Sequence, residues 1–599
     1  MKFITTILAI GITGAIGALA KPNVILIYTD DHGWPDIGVA GIYDDLKTPH
    51  LDALAKSGVY ATSGYSTAPQ CVPSRAGVLT GKSQNRFGVE SNSYDLDGFN
   101  KELTIAERLK KAGYATGQVG KWHLGPTNQI TDHGFDDVYA KNSNRPCWAT
   151  YKLSGETIEM QQVDDDLYHL DACSEAAVTF IKRHAPNPFF LYLAYRAPHV
   201  PLDAPEKYLS RFPGEMPERR RQALAMISAM DDGVGQIVAQ LKAQELYENT
   251  MIFFIGDNGA PLKIHKADLP GGGPGWDGSL NEPMNGEKGM LTEGGIRVPF
   301  LMSYPASVPG NQVYKHPVWS LDVAATALAL AGLPEESELN GINLIPYLTG
   351  EKKGAPNRKL TWRWIAQSAI RDGKWKLLRG MGREYLFDLE SDPSEKNNLL
   401  FTQPETAERL RSQLSEWSSE LTPSGLSVQG SSTNWVNYFD FYLNGKEPKN
   451  PPLKVMPKQP SDPAKVGGWI IRNGTMKQAS NGLVITPLRK DKAPFLVPPR
   501  VAFESPISVS LRLSNQKGGS VGISWREIEQ KDFPKGQKVI LESSASPNER
   551  LVKFGLPIKS ATDHFRLYLP VKGTTIHQVT LESGENTRTW NFRGGVRAE

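Results

Sequence analysis

Oxygen-bearing side chains follow two apolar segments that lie far apart in the sequence. Asp30 and Asp31 come after the apolar run at 23–28, and Asp257 and Asn258 come after a second such run. Carboxylate and amide oxygens are hard ligands that suit Ca²⁺ or Mg²⁺ better than a soft metal. Such pairs also form caps and turns, but here both pairs end segments that we predict to be buried strands. The sequence therefore predicts a Ca²⁺ site, with Mg²⁺ as the alternative, if the fold brings the two strand ends together.

Five cationic or titratable side chains could add anion-binding and acid–base chemistry to such a site. Taken singly, each would more often be a surface charge or a structural polar group. Three of them nevertheless follow predicted strands, in the segments Gly-Lys-Trp-His at 120–123 and Ala-Pro-His at 197–199, and loops at strand ends often carry function. The five residues are Arg75, Lys121, His123, His199 and Lys288.

The segments that would position these side chains alternate between strand-like and helix-like patterns. Apolar runs at 189–195 and 251–256 predict buried strands like the one at 23–28. Amphipathic stretches at 49–56 and 223–244 predict helices. This alternation predicts an α/β fold with a mostly parallel sheet and helices on both faces, in which ligands bind at the carboxyl ends of the strands.

The most specific motif is Cys-Val-Pro-Ser-Arg at residues 71–75. Here the chain resembles the type I sulfatases, whose C-x-P-S-R motif directs oxidation of the cysteine to Cα-formylglycine. The resemblance extends from residue 21 to about residue 400, with the family's motifs in order. It implies an alkaline-phosphatase-like fold, hydrolysis of sulfate esters, and a maturation partner, either a formylglycine-generating enzyme or an anaerobic one.

The resemblance also implies which residues act and which hold the cation. Hydrated formylglycine at position 71 would attack sulfur in line, activated by the cation and by Asp257 as base. Lys121, Lys288 and the helix N-terminus expected after residue 71 would stabilise charge on the transferred group, and Arg75 would fix the modified side chain. The implied metal ligands are Asp30, Asp31, Cys71, Asp257 and Asn258.

The resemblance assigns one proton transfer to each of two histidines. His199, with Lys288 as a second candidate, would protonate the leaving alcohol, because imidazole titrates near neutral pH. His123 would take the remaining hydroxyl proton of the sulfated intermediate, so that sulfate leaves and the aldehyde is restored. This division follows the family, and exchanged roles would leave the same catalytic set: Cys71, Arg75, Lys121, His123, His199, Asp257 and Lys288.

Length and composition exclude several other classes of protein. The 599 residues carry 67 Lys and Arg against 64 Asp and Glu, with 3 Cys, which is unlike a collagenous, disordered or disulfide-stapled chain. A net charge of +3 without a long basic run argues against a nucleic-acid partner. We therefore expect a globular chain of two or three packed units.

The first twenty residues are typical of a signal peptide. Lys2 precedes an apolar segment at 3–19, and Ala-Leu-Ala at 18–20 matches a small-x-small cleavage site. We expect export to the periplasm or the medium. A membrane anchor is the alternative, but the segment is short for a bilayer span and we predict no span further along. In an exported protein, Cys147 and Cys173 could form a disulfide.

Changes in pattern divide the chain into five segments. After the α/β pattern come short strands and a helix, then six prolines within 446–463, then alternating runs typical of a β-sandwich. The predicted segments are a signal peptide (1–20), the catalytic α/β domain (21–345), a small α+β subdomain (346–445), a Pro-rich linker (446–463) and the β-sandwich (464–599).

The predicted sandwich is basic and contains tryptophans. From residue 465 onward it has 21 Lys and Arg against 11 Asp and Glu, a net charge of +10. Trp469, Trp525 and Trp590 could stack on an acidic polysaccharide. The other interpretation, which we slightly favour, is that they form the core of a packing module, because large aromatic side chains are usually buried.

Substrate identity depends on weaker signals. The segment 265–287 contains three consecutive glycines and Trp276, and predicts a long active-site loop that either contacts sugar or packs as an ordinary insertion. This loop and residues 289–297 are similar to those of sulfatases that act on marine galactans. The resemblance implies a sulfated polysaccharide substrate, best a carrageenan, while glycosaminoglycans and fucose-containing polysaccharides stay open.

Two other functions remain compatible with the sequence. Phosphomonoester and phosphonate hydrolases are related, share the fold and a metal site, but commonly use Thr, Ser or an unmodified nucleophile. A non-catalytic polysaccharide-binding protein would result if Cys71 were never modified. The complete maturation motif argues against the first alternative, and the retained charged residues argue against the second.

Overall fold

The computed structural model describes residues 21–262, 278–380, 382–426, 434–446 and, with short gaps, 465–598. The chain forms two compact units that divide between Val455 and Met456. The predicted signal peptide and nearly all of the predicted linker lie outside the described residues. In the part of the chain that is described, no helix combines the length and the apolar character that crossing a membrane requires.

The first unit contains sheets of ten and four strands and a short two-stranded pair within its described residues. In chain order the strands are β1 (Asn23–Asp30), β2 (Val59–Ala61), β3 (Gly64–Tyr65), β4 (Ala115–Gly120), β5 (Asp137–Tyr139), β6 (Cys147–Tyr151), β7 (Thr157–Val163), β8 (Phe189–Pro198), β9 (Thr250–Gly256), β10 (Phe300–Ser303), β11 (Gln312–Tyr314), β12 (Val318–Trp319), β13 (Lys359–Trp364), β14 (Gln367–Asp372), β15 (Trp375–Gly380) and β16 (Arg383–Asp388).

The large sheet has the order β11-β2-β10-β9-β1-β8-β4-β5-β6-β7. Its five central strands, from β9 to β5 in that order, all run parallel. Strand β10 is antiparallel to β9 on one side, and β6 and β7 are antiparallel on the other. The predicted mostly parallel sheet is confirmed, with antiparallel pairs confined to its outer parts.

Helices cover both faces of this sheet, as predicted. Along β1, Ile25 and Ile27 point to one face and Val24, Leu26 and Tyr28 to the other, which is the two-residue alternation of a strand. The first face packs against α1, α4 and α6, and the second against α2, α3 and α8. The described helices of this unit are α1 (Pro49–Ser57), α2 (Cys71–Thr80), α3 (Ile105–Lys111), α4 (His169–His184), α5 (Glu206–Leu209), α6 (Glu218–Ala243), α7 (Glu293–Ile296), α8 (Asp322–Leu330), α9 (Ile345–Leu348), α10 (Pro404–Ser418) and α11 (Asn434–Asn444), with 3₁₀ turns at Gly38–Ala40, Phe99–Lys101 and Thr127–His133.

The smaller sheet is an antiparallel meander of β13, β14, β15 and β16. One of its faces packs on α10 through Ile370, Leu377 and Leu410. Its other face shares a buried cluster with α7 and β12 of the same unit. This is the small α+β subdomain expected from the sequence, and it is packed into the first unit.

The second unit is built from β17 to β29, which form two antiparallel sheets around one apolar core. Its described strands are β17 (Lys465–Val466), β18 (Trp469–Arg472), β19 (Gly474–Ala479), β20 (Gly482–Pro487), β21 (Phe495–Val497), β22 (Ile507–Asn515), β23 (Gly519–Glu527), β24 (Lys538–Ser543), β25 (Ser546–Leu556), β26 (Thr562–Tyr568), β27 (Thr574–Ser583), β28 (Asn586–Asn591) and β29 (Arg597–Ala598).

The tryptophans of the second unit belong to its core. Trp469, Trp525 and Trp590 are each at most 2% exposed. The Trp469 and Trp590 rings meet edge to face at 5.2 Å between centroids. Stacking of these three side chains on a polysaccharide is therefore excluded, because sugar cannot reach them, and the expectation that they form the core is confirmed.

Candidate active site

The two oxygen-bearing pairs meet where neighbouring parallel strands end. Asp30 is the last residue of β1 and Asp257 follows β9, and the register of these strands places their carboxyl ends side by side. The backbone N–H of Asp31 donates to Asp257 Oδ1 over 3.0 Å. Asn258 Nδ2 donates to Asp31 Oδ1 over 2.6 Å. The two strand ends therefore meet, as the predicted metal site requires.

Cys71 is the first residue of α2 and its side chain is buried. Its Sγ lies 3.2 Å from Asp30 Oδ1 and 3.6 Å from Lys288 Nζ. Burial raises the pKa of the unmodified thiol well above its usual value, and Asp257 and Asp30 raise it further. The thiol is therefore protonated near neutral pH and a poor nucleophile as it stands.

Arg75 lies one helical turn after the cysteine and is completely buried. Its Nη2 donates to Asp257 Oδ2 over 2.8 Å and lies 3.5 Å from Asp30 Oδ1. Its Nη1 donates to Tyr192 Oη over 3.2 Å. The guanidinium thus ties the ends of β1 and β9 to the start of α2, which fixes the geometry of the site.

Two lysines neutralise the paired aspartates. Lys121 Nζ lies 2.5 Å from Asp30 Oδ2, and Lys288 Nζ lies 2.7 Å from the Asp31 carboxylate. Burial by itself would raise the pKa of both carboxyl groups. The surrounding cations, led by Lys121 for Asp30 and by Lys288 for Asp31, together more than offset this and hold the pKa of both groups below the usual range. Both aspartates are therefore ionised at neutral pH.

The donor set fits a divalent cation. Asp30, Asp31, Cys71 and His199 each offer a ligand atom, and these four atoms lie within 4.8 Å of one another. Asn258 Oδ1 is buried and has no hydrogen-bond partner among the described residues, which is the state expected of an amide oxygen that serves as a ligand. His199 joins the predicted ligands in this cluster.

These groups border a cavity of about 900 Å³, whose wall includes Lys121, His123, His199 and Lys288. His199 Nδ1 lies 2.6 Å from Val200 O. A carbonyl oxygen can only accept, so Nδ1 carries the proton and Nε2 is left as an acceptor in the neutral ring. Burial lowers the pKa of His199. His123 is exposed on the cavity wall.

The cavity wall also contains residues that sequence reasoning missed. Arg196 lies at the end of β8, three residues before His199, and could have been found from that strand end. The remaining residues sit in a loop and near a turn without any recognisable motif. The missed residues are Asn142, Ser143, Asn144, Arg145, Arg196 and Asp203.

Cys147 and Cys173 are free, buried thiols, and Cys173 Sγ donates to Lys141 O over 3.4 Å. A disulfide between these two cysteines is therefore absent from the structure, where the Cys173 thiol is used in a hydrogen bond instead.

The predicted active-site loop at 265–287 is described only from residue 278, because residues 263–277, including Trp276, lie outside the described residues. Glu287, at the end of this loop, is buried and accepts from Tyr442 Oη over 2.8 Å.

The fold and the site define the class of protein, and comparison with known families agrees. Residues 22–333 match the Sulfatase family, and residues 286–421 match the C-terminal region of N-sulphoglucosamine sulphohydrolase. The chain therefore belongs to the sulfatase family and is a sulfuric ester hydrolase. The predicted relationship to type I sulfatases, including polysaccharide sulfatases of bacteria, is confirmed.

Individual relatives include carbohydrate sulfatases. The chain is 34% identical to human N-acetylgalactosamine-6-sulfatase over 367 residues, which cover 56% of this chain and 67% of the relative. It is 30% identical to Ps i-CgsB, whose crystal structure holds k-i-k-neocarrahexaose, with a TM-score of 0.60 over 70% of this chain and 97% of that one. A Bacteroides thetaiotaomicron sulfatase described with glycosaminoglycan metabolism is 25% identical, with a TM-score of 0.54 over 66% of this chain and 99% of that one.

Proposed function

We propose that the protein is an exported sulfatase that removes sulfate from a sulfated polysaccharide or its oligosaccharides, with a sulfated galactan such as carrageenan as the best candidate. The observation that carries the proposal is the placement of Cys71, within its maturation motif, at the head of α2 and 3.2 Å from Asp30. The similarity to Ps i-CgsB with its bound neocarrahexaose supports the choice of galactan.

Cys71 would act as formylglycine, and Asp30, Asp31, Asp257, Asn258 and the residue at 71 would hold Ca²⁺ or Mg²⁺. The hydrated aldehyde supplies a hydroxyl nucleophile, and the cation polarises the sulfate oxygens when it is bound. In support of the hard cation, ligand atoms of Asp30, Asp31 and Cys71 lie within 4.8 Å of one another. Asp257 and Asn258 both contact Asp31, and Asn258 Oδ1 lacks a partner among the described residues.

The chain's own cations bind and orient the sulfate. Lys121 and Lys288 lie on the cavity wall next to position 71 and carry positive charge that the sulfate oxygens can share. Position 71 is also the N-terminus of α2, where the helix dipole favours an anion. Arg75, which is buried, holds the nucleophilic residue and Asp257 in place.

Asp257, His199 and His123 move the protons. Burial and the neighbouring Asp30 raise the pKa of Asp257 to about 7, which suits a base that takes the proton of the nucleophile. His199, with Lys288 nearby, faces the cavity and can donate to the leaving alcohol from Nε2 when its ring carries a second proton. His123, on the same wall, accepts the proton whose loss releases sulfate.

Residues 1–20 direct export to the periplasm or the medium, and a formylglycine-generating or anaerobic maturation enzyme modifies Cys71.

The catalytic domain spans 21–345, the small subdomain 346–445 and the linker 446–463. The sandwich at 464–599 contacts the polymer, if at all, through surface charges, because its tryptophans are buried.

The test is a substrate panel for protein coexpressed with a formylglycine-generating enzyme. Sulfate release is measured from carrageenan, glycosaminoglycan and fucan oligosaccharides, with phosphate and phosphonate esters beside them and Cys71→Ala as control. We expect release from at least one oligosaccharide and none from the control. Preferred cleavage of phosphate esters would contradict the proposal, and so would binding of oligosaccharides by converted protein without any hydrolysis.

A further inference from the structure

The wall of the cavity that holds the catalytic groups carries further cations besides the two lysines. Arg145 and Arg196 line it together with Asn142, Asn144 and Asp203. We call Arg145 and Arg196 the arginine pair. Lys121 and Lys288, which we assign to the scissile sulfate, each form an ion pair with an aspartate.

The arginine pair is not neutralised by an ion pair. Among the described residues, no carboxylate oxygen lies within 4.0 Å of either guanidinium. Arg196 instead donates from Nη1 to Asn142 O over 3.1 Å and from Nη2 to Val200 O. Carbonyl oxygens orient a guanidinium without cancelling its charge. The structure therefore holds the Arg196 side chain in place while leaving its charge available.

The one acid of this region is engaged elsewhere. Asp203 Oδ2 accepts from Asn144 Nδ2 over 3.1 Å, and Asp203 Oδ1 lies 3.3 Å from His169 Nε2. Asn144 Oδ1 in turn accepts from the His169 backbone over 2.8 Å. These bonds anchor the loop that carries Arg145, so the loop does not have to be ordered when a ligand binds.

Keeping the two arginines near each other has an electrostatic cost. Burial lowers the pKa of Arg196, Asp30 and Asp203 oppose this, and Arg145 adds a smaller lowering. An arginine side chain keeps its positive charge in proteins. Two fixed like charges in a polar cavity attract an anion, and a guanidinium matches the paired oxygens of sulfate or carboxylate.

We propose that the arginine pair binds a second anionic substituent of the substrate, a sulfate ester or a uronate carboxylate on the same sugar or its neighbour. This inference rests on the proposed carbohydrate sulfatase function and narrows its substrate to multiply charged saccharides. The scissile sulfate lies beside Lys121 and Lys288, and the second anion fixes which sulfate is placed there.

The experiment compares matched oligosaccharides in two arms. One arm uses carrageenan oligosaccharides with one or two sulfates per disaccharide, and the other uses glycosaminoglycan oligosaccharides with a uronate or a neutral sugar beside the sulfated residue. Affinity is measured by calorimetry on the Cys71→Ala protein, and kcat/KM for sulfate release is measured on the converted enzyme. The set of oligosaccharides in which the arginine variants lose their preference for the doubly charged ligand identifies whether the second anion is sulfate or carboxylate.

We expect Arg196→Gln and Arg145→Gln each to reduce the preference for the doubly charged ligand about tenfold, as for loss of one charged hydrogen bond. Arg145 is exposed, so its variant tests the proposal even if Arg196→Gln folds poorly. Arg409→Gln, on α10 and outside the cavity, removes the same charge and is expected to keep the preference.

Equal losses on singly and doubly charged ligands in both arginine variants would overturn the inference, as would an unchanged preference. Failure of the proposed function would look different. In that case the unsubstituted enzyme releases no sulfate from any oligosaccharide, while the calorimetric comparison still reports whether the arginine pair prefers the second anion.

Discussion

Two clusters of buried charges in the first unit show what distinguishes a reactive site from a structural one. The active-site cluster of Asp30, Asp31, Lys121 and Lys288 borders a cavity. A second group, which we call the closed cluster, consists of Glu293, Lys376, Glu395 and Tyr65, all buried and none on the described wall of that cavity.

The closed cluster is paired internally. Lys376 Nζ lies 2.9 Å from Glu293 Oε1 and 2.9 Å from Glu395 Oε1, and Tyr65 Oη donates to Glu293 Oε2 over 2.6 Å. It joins α7 of the α/β body to β15 of the small subdomain. Buried ion pairs therefore do not identify an active site by themselves. An active site is identified instead by charges that border a cavity and by a ligand oxygen without a hydrogen-bond partner among the described residues.

The largest expected effect on stability follows from removing the central cation of the closed cluster. Lys376→Met leaves the two glutamates buried without a positive partner, so we expect the free energy of unfolding to fall by about 3–5 kcal/mol. Urea denaturation of both proteins measures it. Lys374→Met removes a lysine that pairs with Asp388 at the surface and serves as the matched control, with a much smaller change expected. Equal losses would contradict the structural role of the closed cluster.

The corresponding change in the active-site cluster should affect catalysis most. Lys288→Met removes a charge that borders both Asp31 and the cavity, so we expect kcat to fall about 10²–10³-fold. Its cost in unfolding free energy should be smaller than that of Lys376→Met, because water in the cavity can solvate Asp31. Steady-state kinetics measure kcat, and urea denaturation measures the free energy of unfolding. An unaltered kcat, or a loss of unfolding free energy as large as in Lys376→Met, would contradict the distinction between the active-site cluster and the closed cluster.

The smallest effect concerns pH. Burial raises the pKa of Glu395 to about 7, and Glu293 contributes. A carboxyl group that binds its proton more tightly when folded stabilises the fold fully below its unfolded pKa of about 4.5, and this stabilisation is lost as pH rises through about 7. The free energy of unfolding should therefore fall by about 1 kcal/mol or more between pH 5 and pH 8.

Glu395→Gln is the variant that isolates this contribution. We expect it to reduce the slope of unfolding free energy against pH without abolishing it, because the raised pKa of Asp257 acts with the same sign. Denaturation curves at several pH values measure the slope. An identical slope in the variant would show that Glu395 does not titrate in this range.

Much of the catalytic end of the cavity could be predicted from sequence because its residues sit in short motifs at the ends of apolar strands. Asp30 and Asp257 were found in this way, although their contact depends on the parallel pairing of β1 with β9, which no local pattern encodes. The arginine pair was missed because Arg145 lies in a loop without a motif. Burial of Trp469 could not be decided either, since strand alternation does not say which face is covered.

The most direct test of the account is whether activity depends on the conversion of Cys71. Preparations that differ in the fraction of formylglycine, quantified by mass spectrometry of the peptide containing residue 71, are assayed for sulfate release from the best oligosaccharide. The account predicts release in proportion to the converted fraction, and none from Cys71→Ala. Sulfate release that persists in unconverted protein or in Cys71→Ala would contradict it.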